Sequence, residues 1–227
     1  MKQQYTIHEI LPNIFHLHFQ TKGELTRTFI RFQEHYESPK FRNKIFSLKE
    51  YKKWYSKTSE KGIKTGKFTY FSDWSGFNIP SKTLNAFYEG KFNPLLKREK
   101  EFLEYFKDKS HSFYVIGTFE SKRTITLQHE IGHALYYLNP EYHTKINIVL
   151  ESMPKEIKDT FNTYLGGSGG YHESVFDDER HAYLISNGFD KEFIEEDLNL
   201  SLKDVSNYTT KIHSIFNEYV SDKYKLK

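Results

Sequence analysis

From Asn13 to Gln20 the chain reads NIFHLHFQ, with Phe15, Leu17 and Phe19 alternating against His16, His18 and Gln20. A period of two puts the apolar side chains on one face of a strand and turns both histidines away from the core. Lys67 to Ser72 and Ser112 to Phe119 are read as the other strands. Elsewhere the period is helical. Leu25, Phe29, Phe32 and Tyr36 recur three and four residues apart until Pro39 stops the run. Ser47 and Glu50 have the spacing of a capping box and open a helix around Tyr51 to Tyr55. Asn93-Pro94 reads as a cap with a first-turn proline, starting a helix through KREKEFLEYF. The segments 140–153, 154–165, 173–187 and 203–222 follow as helices, with the glycine-rich break Gly166 to Gly170 between the second and third. Lys57 to Lys67 and the turn-rich DWSGFN, Asp73 to Asn78, are read as loops. Strands in the first half followed by helices predict an α+β fold, organised as one domain over 1–227.

Aromatic residues make up 17% of the 227 positions, ample for one substantial core. With 33 Lys+Arg against 30 Asp+Glu the net charge is +3, and the basic residues are interspersed with acids, so no nucleic-acid partner is expected. No apolar run approaches the roughly 18 residues of a membrane span, and MKQQYTIHEI lacks the apolar region of a secretory signal. A cytoplasmic protein with no membrane partner is the expectation. The absence of cysteine changes the chemistry available: a transition-metal site must be built from histidines and carboxylates.

That constraint bears on LQHEIGHALYYLNPEY, Leu127 to Tyr142, which contains His129-Glu130-Ile131-Gly132-His133. Thr124 or Thr126 can cap a helix here and Asn139-Pro140 ends it, so the motif is expected on about four helical turns. At about 100° per residue, His129 and His133 fall within about 40° of each other, one turn apart, where both imidazoles can reach one ion. Glu130 lies about 100° round from His129, beside the pair without joining it. Leu127, Ile131, Ala134, Leu135 and Leu138 form a stripe on the opposite side, predicted to face the core and to leave the histidines outside it.

A catalytic zinc takes three protein ligands and keeps a fourth position open. Tyr136 and Asn139 stand where a longer motif on the same helix would need glycine and a third histidine, so the third ligand is sought later in the chain. Glu179, in FDDERHAYLISNG, shares a predicted helix face with Val175, Phe176, Ala182 and Tyr183, while Asp177, Asp178 and His181 project elsewhere. A carboxylate on an apolar face needs a partner, and a cation is one. Asp178 and His181 are the substitutes if the helix phase differs.

Tyr114 to Leu138, an extended strand followed by an H-E-x-x-H helix, with Glu179 in a later E-x-x-A-Y helix, resembles the zincin superfamily of metallopeptidases in its glutamate-ligand (gluzincin-like) branch. The resemblance covers residues 113–187 and departs from compact members in the separation of 46 positions from His133 to Glu179. It implies a zincin-like α+β fold with a small N-terminal sheet, an active-site helix and a mostly helical C-terminal half. It implies one Zn2+ per chain on His129, His133 and Glu179, and a peptide or protein substrate held extended along an edge strand at 113–119. In the implied reaction Glu130 is general base to a zinc-activated water. Tyr171 and His172, after the glycine-rich break, and Tyr183, one turn beyond Glu179, are candidates to stabilise the oxyanion. A reading from another class keeps this helix in a non-catalytic zinc-binding or regulatory protein. The intact Glu130 favours catalysis, because a structural zinc has no use for a general base.

Overall fold

The computed structural model describes residues 5–74, 76–119, 124–167 and 170–226. The chain gathers into two compact units, residues 1–122 with 168–172, and 123–167 with 173–227.

The first unit holds β1 (Tyr5–Leu11), β2 (Ile14–Phe19), β3 (Gly76–Pro80) and β4 (Tyr114–Thr118) in one sheet of order β1-β2-β4-β3. The hairpin β1-β2 and the pair β3-β4 are antiparallel, and β2 runs parallel to β4. Around the sheet stand α1 (Lys22–Glu37), α2 (Leu48–Thr58), α3 (Glu60–Thr65), α4 (Tyr70–Asp73), α5 (Asn85–Tyr88) and α6 (Lys97–Phe106). The alternation of NIFHLHFQ becomes β2: Phe15, Leu17 and Phe19 enter a core with Phe29 and Phe32 of α1, Phe77 of β3 and Phe102 of α6. At Gly117 of β4 an added Cβ would stand 2.6 Å from both Leu25 Cδ1 and Phe29 Cε2, so glycine is what lets α1 lie this close to the sheet. The predicted capping box is present, Ser47 and Glu50 each closing on the other's backbone at the start of α2.

Four local expectations change. Tyr70–Asp73 is a helical turn and not part of a strand, held where Thr69 Oγ1 donates to Asp73 Oδ2 at 2.6 Å and Ser72 Oγ to the Thr69 carbonyl at 2.7 Å. The strand comes later, as β3, and runs into Pro80, which an edge strand tolerates. Within Lys57 to Lys67, α3 forms because Ser59 Oγ accepts the Gly62 N–H and Gly66 closes the helix at φ 66°. Finally, α6 starts at Lys97, not at Pro94, because Glu99 accepts the Leu96 N–H at 2.7 Å and makes Leu96 the cap.

β4 is interior. It pairs with β2 on one side and β3 on the other, so strand 113–119 has no open edge onto which an extended substrate could add. The edges of this sheet are β1 and β3.

Among its described residues the second unit is helical: α7 (Thr124–Leu138), α8 (Pro140–Glu151), α9 (Lys155–Leu165), α10 (Phe176–Asn187) and α11 (Leu202–Tyr219). Asn139 caps α8, accepting from the N–H groups of Glu141 and Tyr142, with Pro140 in the first turn. Thr126 lies inside α7, so it is not the cap, and the position before Thr124 falls outside the described residues. A small four-stranded sheet with a mostly helical remainder makes the protein α+β. Among the described residues no helix is long and apolar enough to cross a membrane.

Candidate metal centre

The H-E-x-x-H segment lies on α7, and α10 packs against it. Gly132, in the middle of the motif, is the point of close approach. A Cβ there would come within 2.7 Å of Ile185 Cδ1 and 3.2 Å of His181 Nε2. This proximity brings Glu179 of α10 to the two histidines. His129 Nε2 and His133 Nε2 are 3.1 Å apart, Glu179 Oε1 is 3.7 Å from His133 Nε2, and Glu179 Oε2 is 3.9 Å from His129 Nε2. Two bonds of about 2.0–2.1 Å meeting at a tetrahedral angle set their donor atoms about 3.4 Å apart, a value the three separations bracket.

Contacts on the far side of each ring fix which nitrogen is free to ligate. His133 Nδ1 is 2.8 Å from Asp178 Oδ1, and an ionised carboxylate only accepts, so that nitrogen carries a proton. His129 Nδ1 is 3.2 Å from Ser186 Oγ, a hydroxyl whose own hydrogen can go to the Ala182 or Tyr183 carbonyl or to Asn187 Oδ1, which leaves its oxygen able to accept from the ring. Both Nε2 lone pairs therefore face each other across 3.1 Å. With both Nδ1 atoms protonated, one shared cation, a proton or a metal ion, can sit between them. Burial disfavours charge on His133, but Asp178 and Glu179, with Glu130 adding to them, push its pKa up to about 10. Burial, reinforced by His133 and His181, holds His129 well below the ordinary histidine value. Two imidazole nitrogens and a carboxylate, buried and converging, fit a borderline cation such as zinc.

No family model, curated protein or solved structure matches the chain.

The structure places the remaining candidates as follows. Glu130 is buried on α7, beside the histidine pair. Tyr183 sets its ring 5.1 Å from His129, edge to face, and stacks on Phe193 at 5.3 Å. Tyr171 and His172 belong to the first unit, where the Tyr171 ring lies 5.9 Å from Trp74 and the His172 N–H donates to the Glu37 carbonyl at 3.2 Å.

Two expectations about helix faces are corrected. The histidine side of α7 is only partly open to water: Glu130 and His133 are buried, whereas His129 keeps 16% of its side chain exposed. Nor do Asp178 and His181 project away from the site. Asp178 holds His133, and the fully buried His181 stacks on Tyr136 at 4.9 Å while its Nδ1 donates to the Asp178 carbonyl at 2.7 Å. Burial draws the His181 pKa down to about 4 and keeps the ring neutral. Asp178 and Ser186 were not legible as supports for the histidines. The one signal was the pair of adjacent acids Asp178-Glu179, since two acids on neighbouring positions can contact one ring from two sides.

Proposed function

We propose that the chain is a zincin-type metallopeptidase in which His129, His133 and Glu179 hold one Zn2+ and Glu130 is the general base. The supporting observation is the pair of Nε2 lone pairs facing each other beside the Glu179 carboxylate, with both Nδ1 positions already committed. A zinc ion held there would polarise a carbonyl and lower the pKa of water.

The chain's own residues supply the rest. Asp178 and Ser186 fix the imidazole tautomers and ring orientations, so the ligand set is organised before any ion arrives. Glu130, next to His129 but one helical step off the ligand direction, takes the proton of the attacking water on a carboxylate oxygen and returns it to the leaving amine. Its burial keeps competing solvent protons away from that exchange. Tyr183, whose ring adjoins His129, is the candidate phenol in the same unit for the developing oxyanion. Peptides as substrates rest on the resemblance of the HEIGH helix and Glu179 to zincins.

The test is cleavage of a mixed-sequence peptide library by zinc-loaded protein, read by mass spectrometry. Wild type should cut, Glu130→Gln should keep its zinc and lose at least about a hundredfold in rate, and Glu179→Ala should lose both. Zinc retention with no turnover in wild type would favour the non-catalytic zinc protein instead.

A further inference from the structure

The first unit contains a cavity of about 280 Å³ that the metal chemistry does not use. Its walls come from α1, α2, α4 and the opening of α6. Ile30, Leu48, Phe71 and Leu96 make it apolar, while Arg27, Lys52, Lys97 and Arg98 ring it with positive charge, and no acid lines it. We propose that this pocket binds a small oxyanion, phosphate or carboxylate, carried on an apolar body about the size of one aromatic ring.

Three physical points support that class of ligand. The Arg27 guanidinium lies over the Phe71 ring at 5.1 Å and the Lys52 ammonium over Phe68 at 5.5 Å. Those rings position the cations without neutralising them, which leaves Arg27 able to fork onto a carboxylate or phosphate. Arg27 and Lys52 bring like charges to the same apolar walls, which costs mutual repulsion and focuses their field on whatever enters. An anion relieves it. Lys97 also pairs with Glu101 at 3.9 Å, so Arg27 and Lys52 are the determining contacts. The size suits the body: a cavity of about 150 Å³ already holds a benzene ring, so about 280 Å³ has room for one ring and a head group.

The experiment uses the full chain, with isotope-labelled Ile and Leu methyl groups, titrated with phenyl phosphate, phenylacetate, inorganic phosphate and benzyl alcohol. Phenyl phosphate or phenylacetate should shift the Ile30, Leu48 and Leu96 methyl signals saturably, and the tighter of the two identifies the head group. Inorganic phosphate and benzyl alcohol should bind at least tenfold more weakly, and Arg27→Gln/Lys52→Gln should weaken the better ligand at least tenfold. Unmoved methyl signals would overturn the proposal. So would equal binding of benzyl alcohol, or of inorganic phosphate, the mark of a non-specific basic surface. The wild-type ligand comparison decides the matter even if the double variant fails to fold.

Discussion

Asp178 accepts the Nδ1 proton of His133 at 2.8 Å, while the next residue, Glu179, sets Oε1 3.7 Å from the opposite nitrogen of the same ring. Consecutive carboxylates on α10 thus meet one imidazole from two sides, one bonded to Nδ1 and one standing beside Nε2. Asp178→Asn keeps an acceptor but removes the charge, and Asp178→Ala removes both. Zinc affinity, measured by competition with a chromophoric chelator, should fall about tenfold in the first and up to about a hundredfold in the second. Unchanged affinity in both would show that the ring needs no such support.

Gly132 is the second leverage point, because the Cβ of Gly132→Ala would meet Ile185 Cδ1 at 2.7 Å. Overpacking against Ile185 and the buried His181 ring, offset by the roughly 1 kcal/mol of helix propensity that alanine gains over glycine, should leave a net cost of about 1–2 kcal/mol in denaturant unfolding. Zinc affinity should drop alongside stability. A variant as stable as wild type would mean the two helices are not held at this distance.

The Arg31–Glu99 pair in the first unit is buried on both sides, Arg31 Nε donating to Glu99 Oε1 at 2.6 Å and Nη1 to the Phe92 carbonyl at 3.1 Å. Glu99→Ala leaves that guanidinium uncompensated and also removes the acceptor for the Leu96 N–H. The expected loss is about 3–5 kcal/mol by urea denaturation, against a small effect for the exposed Lys64→Ala.

Glu34, fully enclosed on α1, receives a hydrogen bond from the Tyr70 hydroxyl at 2.6 Å. Burial pushes its pKa from 4.5 up to about 7, with the hydrogen bond from Tyr70 opposing the rise. Between these two values the folded state binds more proton than the unfolded one, so this group's stabilisation is complete below about pH 4.5 and is lost as pH rises through 7. The loss should reach roughly 3 kcal/mol by pH 8 to 9. Glu34→Gln, neutral throughout, should flatten that part of the stability profile, which urea melts from pH 5 to 9 would show. Parallel profiles for the two proteins would contradict the assignment.

How far the sequence revealed this structure depended on length and period. β2 and the long helices have three or more apolar positions at a regular interval, and their burial follows. β1, YTIHEIL, places His8 and Glu9 side by side in an edge strand with one covered face, so its alternation is broken. β3 is five residues long and closes on proline, too short for a period to emerge. The phase of His129 and His133 was readable because it is a property of one helix. What covers that face was not. Glu179 was readable on the apolar face of α10, but that helix also buries Arg180 and His181, which a hydrophobic pattern assigns to solvent, and turns Asp178 onto His133.

The most direct test of the central claim is zinc content per chain, by elemental analysis after reconstitution and exhaustive dialysis. The three-ligand site predicts about one zinc in wild type and in Glu130→Gln, and close to none in Glu179→Ala. Zinc-free wild type, or full retention in Glu179→Ala, would contradict it.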